Sequence, residues 1–183
     1  MLKIVKDNAL SLHSPSKEVT MPLSQENKDL LNEMLAYLKD SQDPSFQESH
    51  PKVREGIGLA APQVGVNYRM LVIYYPKDAD NKEYVTYQLV NPKIVANSLK
   101  KCYLEHGEGC LSVDEEHPGY AYRDYRIAVK AFDAIQNKDI YIRASGFDAI
   151  VLQHEIDHLN GLLFYDRIDK KNPFKVLPGS VAL

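Results

Sequence analysis

The sequence has few cysteines, no long apolar run and almost no excess of either charge. Its two cysteines, Cys102 and Cys110, are too few for a small secreted domain held by several disulfides. The longest clearly apolar run covers residues 70–75, whereas a membrane-spanning helix needs ~20 apolar residues. Lysine plus arginine total 22 and aspartate plus glutamate total 25, a net charge of −3. This balance predicts neither nucleic-acid binding nor attachment to an anionic membrane.

Length and composition predict one globular domain. The chain has 183 residues, of which 44% are hydrophobic and 26% are charged, as expected for a protein with one core. Residues 1–7 carry charges before any apolar run could form a signal peptide. No internal repeat or long glycine/serine linker divides the chain. We therefore expect a single cytoplasmic domain over residues 1–183.

Hydrophobic spacing predicts helices on either side of a group of strands. The first helix begins near Ser24, where apolar residues start to recur at helical intervals. The second runs from about Phe147 to Leu159, with the Ser145 hydroxyl and the Asp148 carboxylate as its predicted N-terminal caps. Alternating β-branched and aromatic residues predict strands over 70–75, 84–90, 127–132 and 140–143. The expected class is α+β, with a mostly antiparallel sheet packed around a central helix.

The motif HEIDH at residues 154–158 indicates a metal site on the second helix. His154 and His158 are four residues apart, so both rings face the same side of the helix and can reach one ion. Glu155 is placed to accept a proton from a bound water instead of binding the metal. Asp157 lies off this face, so we expect it either behind the ligands or in solvent. The predicted buried stripe consists of Phe147, Ile150, Val151, His154, Glu155 and His158.

A third ligand is needed, because catalytic zinc-type sites use three protein ligands and keep one open position. No histidine follows His158, which disfavours the usual metalloprotease arrangements. The upstream segment GEGCLS, residues 107–112, offers the Cys110 thiolate instead. Taken alone, Cys110 is better explained as a small buried residue, and Cys102 is expected to be one. His106 and His117 flank the segment and are expected to be exposed or at the rim of a substrate site.

The segment GIGLAAPQ, residues 56–63, contains a glycine pattern resembling a dinucleotide fingerprint. That fingerprint requires a preceding strand and a following helix, and Pro62 obstructs such a helix. The glycines instead allow close approach of backbone to a ligand. Gln63 could donate its amide to a developing oxyanion.

Together the three segments resemble, in order and spacing, the signature motifs of bacterial peptide deformylases, and residues 41–55 and 164–183 resemble the type 2 branch from Gram-positive bacteria. This resemblance implies hydrolysis of the N-terminal formyl group of formyl-methionyl nascent polypeptides, with release of formate. It implies Cys110, His154 and His158 as metal ligands. The implied catalytic groups are Glu155 as general base and Gln63 with the Leu111 backbone N–H as oxyanion donors. The implied substrate-binding residues are Gly58, Glu108, Gly109, Phe147, Ile150 and Val151.

The resemblance also implies one divalent metal ion, Fe(II) in the cell, with zinc, nickel or cobalt possible in purified protein. The implied partners are formyl-methionyl peptides and nascent chains at the ribosome, bound by a monomer without direct nucleic-acid or membrane contact. Two alternatives stay open at this stage: a metallopeptidase, which HEIDH alone would permit, and a binding module whose metal is only structural.

Overall fold

Helices flank a group of β-strands in the computed structural model, which describes residues 2–78, 80 and 82–183. The helices are α1 (Gln25–Ser41), α2 (Pro44–Ser49) and α3 (Phe147–Leu159). The strands are β1 (Gly58–Ala60), β2 (Met70–Pro76), β3 (Tyr84–Asn97), β4 (Lys101–Tyr103), β5 (Arg123–Asp124), β6 (Arg126–Asp133), β7 (Lys138–Ser145) and β8 (Val181–Ala182). Within these described residues, no helix is long and apolar enough to cross a bilayer.

Most strand pairs are antiparallel. The larger sheet has the order β1-β2-β3-β6-β7, and all four of its neighbouring pairs are antiparallel. The smaller sheet has the order β5-β4-β8, in which β8 lies parallel to β4. The four predicted strands correspond to β2, β3, β6 and β7, and the predicted α+β class is confirmed.

Strand β3 extends seven residues beyond its predicted end at Val90. The alternating pattern breaks at Asn91, which adopts a left-handed φ of 52°. The Asn91 side chain accepts a hydrogen bond from the Val19 backbone N–H (2.8 Å) and donates one to the Val19 carbonyl (2.9 Å). The register with β6 shifts between Val90 and Lys93 and again between Ile94 and Ala96, and pairing continues to Asn97. A bulge of this kind bends the strand without ending it, which a period-two pattern does not reveal.

Helix α1 begins as predicted, because the Ser24 hydroxyl accepts a hydrogen bond from the Asn27 backbone N–H at 3.3 Å. Its apolar side packs on the larger sheet, mainly against β2. Leu31, Met34 and Leu38 are fully buried there. This packing supports residues 42–57, the segment that connects α1 to β1 at the functional site.

Helix α3 is buried on nearly all sides. It contacts β1, β5 and β7. Four residues of the predicted stripe are buried, but His154 is only partly buried and Phe147 is 42% exposed, because the first turn of the helix lies at the surface. Leu152, Ile156 and Asp157, outside the stripe, are buried as well. The single-stripe prediction was therefore too narrow, because strands of both sheets enclose the helix. The predicted capping box was wrong: Gly146 precedes the helix with φ 59°, and no side chain caps it. The Asp148 carboxylate instead accepts a hydrogen bond from the Tyr75 hydroxyl at 2.6 Å.

Candidate active site

One ligand atom from each of Cys110, His154 and His158 lies within 4.8 Å of the other two. The histidines come from successive turns of α3, and the cysteine comes from the loop after β4. Cys110 Sγ is 3.4 Å from His158 Nε2. A tetrahedral ion with bonds of ~2.0–2.3 Å would separate its ligand atoms by about 3.3–3.8 Å. The spacing and the thiolate–imidazole donor set therefore fit a first-row divalent metal.

Glu155 presents a buried carboxylate beside this group. The residue is 4% exposed, and burial raises its pKa to about 7. Within the described part of the chain, its Oε2 atom has no hydrogen-bond partner. A buried carboxylate oxygen without a protein partner is available to a water or a substrate.

Glu108 fixes the orientation of one histidine. Its Oε2 atom accepts a hydrogen bond from His154 Nδ1 at 2.8 Å, which leaves His154 Nε2 as the nitrogen available to a metal. The Arg123 guanidinium donates to both Glu108 oxygens, at 2.6 and 2.8 Å. Burial alone would raise the pKa of Glu108, but Arg123 and His154 lower it to about 2. Both oxygens of the Glu108 carboxylate therefore accept hydrogen bonds from Arg123 or His154.

Sequence reasoning missed Arg123 and left two positions open for Asp157. Arg123 belongs to no motif, and the one available signal was an acidic residue, Glu108, between two glycines beside a ligand. Asp157 is 3% exposed and accepts a hydrogen bond from Arg123 Nη1 at 2.8 Å. Of the two positions expected for Asp157, behind the ligands or in solvent, the structure shows the first.

Gln63 is locked in one orientation. It follows β1 in a short 3-10 turn, Ala61–Val64, so the helix that a dinucleotide fingerprint requires is replaced by a turn. Its Oε1 atom accepts a hydrogen bond from the Ala60 backbone N–H at 2.8 Å. Its Nε2 atom points to Ser112 Oγ at 3.3 Å and to Cys110 Sγ at 3.5 Å. The amide therefore presents its donor group toward the ligand atoms.

Leu111 lies in a loop that Arg54 holds in place. The Arg54 guanidinium donates to the Leu111 carbonyl at 2.6 Å and to the Val113 carbonyl at 2.9 Å. It also forms an ion pair with Asp114 at 3.2 Å. These contacts connect the segment before β1 to residues 107–114, which we name the cysteine loop, across the mouth of the site.

A cleft of about 290 Å³ opens beside the ligand group. Apolar side chains of α3 form one wall, and the ends of the β1 segment and the cysteine loop form the others. His158 lies behind the cleft and is 1% exposed. All six residues predicted to bind substrate line the cleft: Gly58, Glu108, Gly109, Phe147, Ile150 and Val151.

The remaining cysteine and the flanking histidines stand apart from the ligand group. Cys102 is fully buried on β4, and burial raises its thiol pKa to about 11. His106 is exposed, and the His117 ring stacks on Tyr165 with centroids 4.2 Å apart. Among the described residues, the ligand atoms that lie close enough together to share one metal ion belong to Cys110, His154 and His158.

Comparisons with known proteins identify the family. The family model described as polypeptide deformylase matches residues 1–174. Peptide deformylase from Macrococcus caseolyticus is 47% identical over 183 residues, which cover 100% of this chain and 98% of that protein. Peptide deformylase 2 from Bacillus subtilis is also 47% identical over 183 residues, covering 100% and 97%. The crystal structure of a probable peptide deformylase from Synechococcus phage S-SSM7 superposes with a TM-score of 0.73 at 33% identity, covering 92% of this chain and 100% of that one. The chain therefore belongs to the polypeptide deformylase family of metal-dependent hydrolases, which cleave the N-formyl amide bond, as its three motifs predicted.

Proposed function

We propose that this deformylase acts on the N-terminal formyl-methionine of nascent polypeptides, with residues 1–183 forming one catalytic domain. Cys110, His154 and His158 would hold one divalent metal ion. One observation carries this proposal. The three ligand atoms lie at the same cleft as a Glu155 oxygen that has no hydrogen-bond partner in the described residues. Membership of the deformylase family favours this function over the metallopeptidase and binding-module alternatives.

A divalent ion held by Cys110, His154 and His158 would lower the pKa of a water molecule to ~7, so that this water could attack a neutral amide near neutral pH. Two imidazoles and one thiolate suit several first-row metals. By resemblance to the family we assign Fe(II) as the ion in the cell and expect zinc, nickel or cobalt to replace it in purified protein.

Glu155 would serve as the general base and then as the general acid. Its Oε2 atom, which has no hydrogen-bond partner among the residues that the structure describes, can accept the proton of the attacking water, and the same carboxyl can then protonate the leaving amine. The buried position of Glu155 keeps bulk water from competing for that proton.

Gln63 and the Leu111 backbone N–H would stabilise the oxyanion that forms during attack. Gln63 is suited to this because Ala60 holds its carbonyl oxygen and so directs its NH₂ group toward the ligand atoms. Arg54 holds the Leu111 carbonyl and so limits rotation of the peptide segment that carries the second donor. Donors fixed before the reaction lose little energy to reorganisation, which is why such groups are effective.

The cleft would bind an extended peptide with its methionine side chain against α3. Phe147, Ile150 and Val151 offer an apolar wall for that side chain. Strand β1 is an outer strand of the larger sheet, and its Gly58 lines the cleft, so a peptide could add to this edge opposite Gly109. Glu108 would contribute through its backbone, since Arg123 and His154 occupy its carboxylate.

The proposed setting is the cytoplasm, where a monomer would meet nascent chains at the ribosome. The net charge of −3 favours contact with the emerging peptide over direct binding to ribosomal RNA.

A formate assay tests the proposed reaction. Protein prepared without oxygen and loaded with iron, nickel or cobalt should release one formate and one free α-amine for each formyl-methionyl tripeptide consumed. The matched control is the same protein after metal removal, which should release neither. Cleavage of internal peptide bonds in place of formate release would contradict the proposal.

Gly58→Ala should disturb Glu155 directly. A Cβ atom at position 58 would lie 2.3 Å from Glu155 Oε1 and 2.6 Å from its Cδ, so the carboxylate would have to move. A displacement of about 1 Å in a reacting group can cost ~10²-fold in rate, and we expect a loss of kcat of that order with metal content unchanged. Among the described residues, a Cβ at Gly109 meets nothing within 4 Å. Any loss of kcat/KM in Gly109→Ala should therefore come from a higher KM. Equal kcat in both variants would contradict the assigned position of Glu155.

A further inference from the structure

Buried charges connect the C-terminal segment to a proposed metal ligand. Arg167 donates to both Asp157 oxygens, and its Nη2–Oδ1 distance is 2.6 Å. Asp157 Oδ2 also accepts from Arg123 Nη1 at 2.8 Å. Arg123 binds Glu108 through two hydrogen bonds, and Glu108 accepts from His154 Nδ1 at 2.8 Å. We name Arg167, Asp157, Arg123 and Glu108 the ionic chain.

The inner members of the ionic chain have little access to solvent. The side chains of Arg123, Glu108 and Asp157 are 0%, 3% and 5% exposed. Buried charges are tolerated when they are paired and hydrogen-bonded, because their loss of hydration must be offset. Arg123 alone cannot balance two carboxylates, which would leave a net charge of −1. Arg167 supplies the second positive charge and makes the ionic chain neutral.

The backbone around Arg123 is anchored separately. Gln153, on α3, accepts a hydrogen bond from the Asp124 backbone N–H and donates one to the Asp124 carbonyl, both at 2.9 Å. Strand β5 is therefore tied to α3 next to Arg123. The guanidinium, in contrast, takes its position from the two carboxylates on either side of it.

Removal of Arg167 would change the forces on that guanidinium. Asp157 Oδ1 would lose its Arg167 partner, and the whole Asp157 carboxylate would then compete with Glu108 for Arg123. A weakened Arg123–Glu108 pair would leave Glu108 less able to hold His154. Partners that orient a ligating histidine typically contribute 10–100-fold to metal affinity.

We propose that Arg167 and Asp157 are positioning residues for metal binding, acting through Arg123 and Glu108 on the ring of His154. This inference rests on the proposed ligand set of Cys110, His154 and His158. Arg167 lies outside the three sequence motifs, and its side chain is 39% exposed, so it can be replaced without opening a large cavity.

The test measures Co(II) affinity of the whole protein by competition with a chelator, without oxygen. Arg167→Met should weaken Co(II) binding about 10-fold and alter the Co(II) absorption bands, which report ligand geometry. Arg167→Lys keeps the charge and should recover part of the affinity. Arg126→Met, which replaces an exposed arginine on β6, is the matched control and should bind as the wild type does.

A double variant separates charge balance from general structural damage. Arg167→Met combined with Asp157→Asn leaves the neutral pair of Arg123 and Glu108, so its Co(II) affinity should move back toward the wild-type value. Additive losses in the double variant would overturn the inference. So would wild-type Co(II) affinity and spectrum in Arg167→Met, whatever happens to the thermal stability of the metal-free protein. Failure of the wild type itself to bind one Co(II) would overturn the proposed ligand set and this inference with it.

Discussion

Replacement of Glu155 by glutamine or alanine should lower kcat by roughly 10²–10⁴-fold while the protein still binds one metal ion. This range is typical of the loss of a general acid–base group. Glu155 is buried, and its Oε2 atom has no partner within the described residues, so its carboxylate is free for proton transfer. The grouped ligand atoms come from other residues, so metal content should not change. Formate release and metal analysis on the same preparation measure both quantities.

Glu155→Gln is the more informative of the two variants because it keeps the size of the side chain next to Gly58. Glu115→Gln, which changes an exposed carboxylate after the cysteine loop, is a suitable control and should retain wild-type kcat. Loss of bound metal in Glu155→Gln would show that Glu155 is a ligand instead of the base.

Cys110→Ala should lose both metal and activity. The two imidazoles of His154 and His158 would remain, without the thiolate that completes the group. If ~10–16 kcal/mol of binding free energy is shared among four ligand positions, one ligand contributes about 3 kcal/mol, or roughly 100-fold in metal affinity. Chelator competition measures this change directly, and the formate assay should show a parallel loss of turnover.

Cys102→Ala provides the matched control, since Cys102 is also a buried free cysteine but lies on β4 outside the ligand group. Its replacement should cost about 1 kcal/mol in free energy of unfolding and leave metal affinity unchanged. Equal metal affinity in the two alanine variants would reject Cys110 as the third ligand.

Local patterns in the sequence were sufficient for the elements that carry the site. The four-residue spacing of His154 and His158 requires only that residues 147–159 form a helix, and helical periodicity is a short-range signal. The same holds for the Ser24 cap and for the strands with alternating apolar residues. Prediction failed where distant residues take part, as at Asn91, whose side chain bonds with Val19 while β3 continues past its predicted end through pairing with β6.

The grouping of Cys110 with the two histidines could be anticipated only from three separated motifs taken together. The fold class, the family and the residue types available for a metal could all be predicted from the amino-acid sequence, because these depend on local spacing and on motif order.

The charged side chains next to the ligands could not be predicted from the sequence. Arg123, Asp157 and Arg167 belong to β5, α3 and the turn after α3, and no sequence interval relates them. Folding brings them together because each buried charge requires a partner of opposite sign once water is excluded. That long-range requirement places Glu108 against His154, beside the buried face of α3.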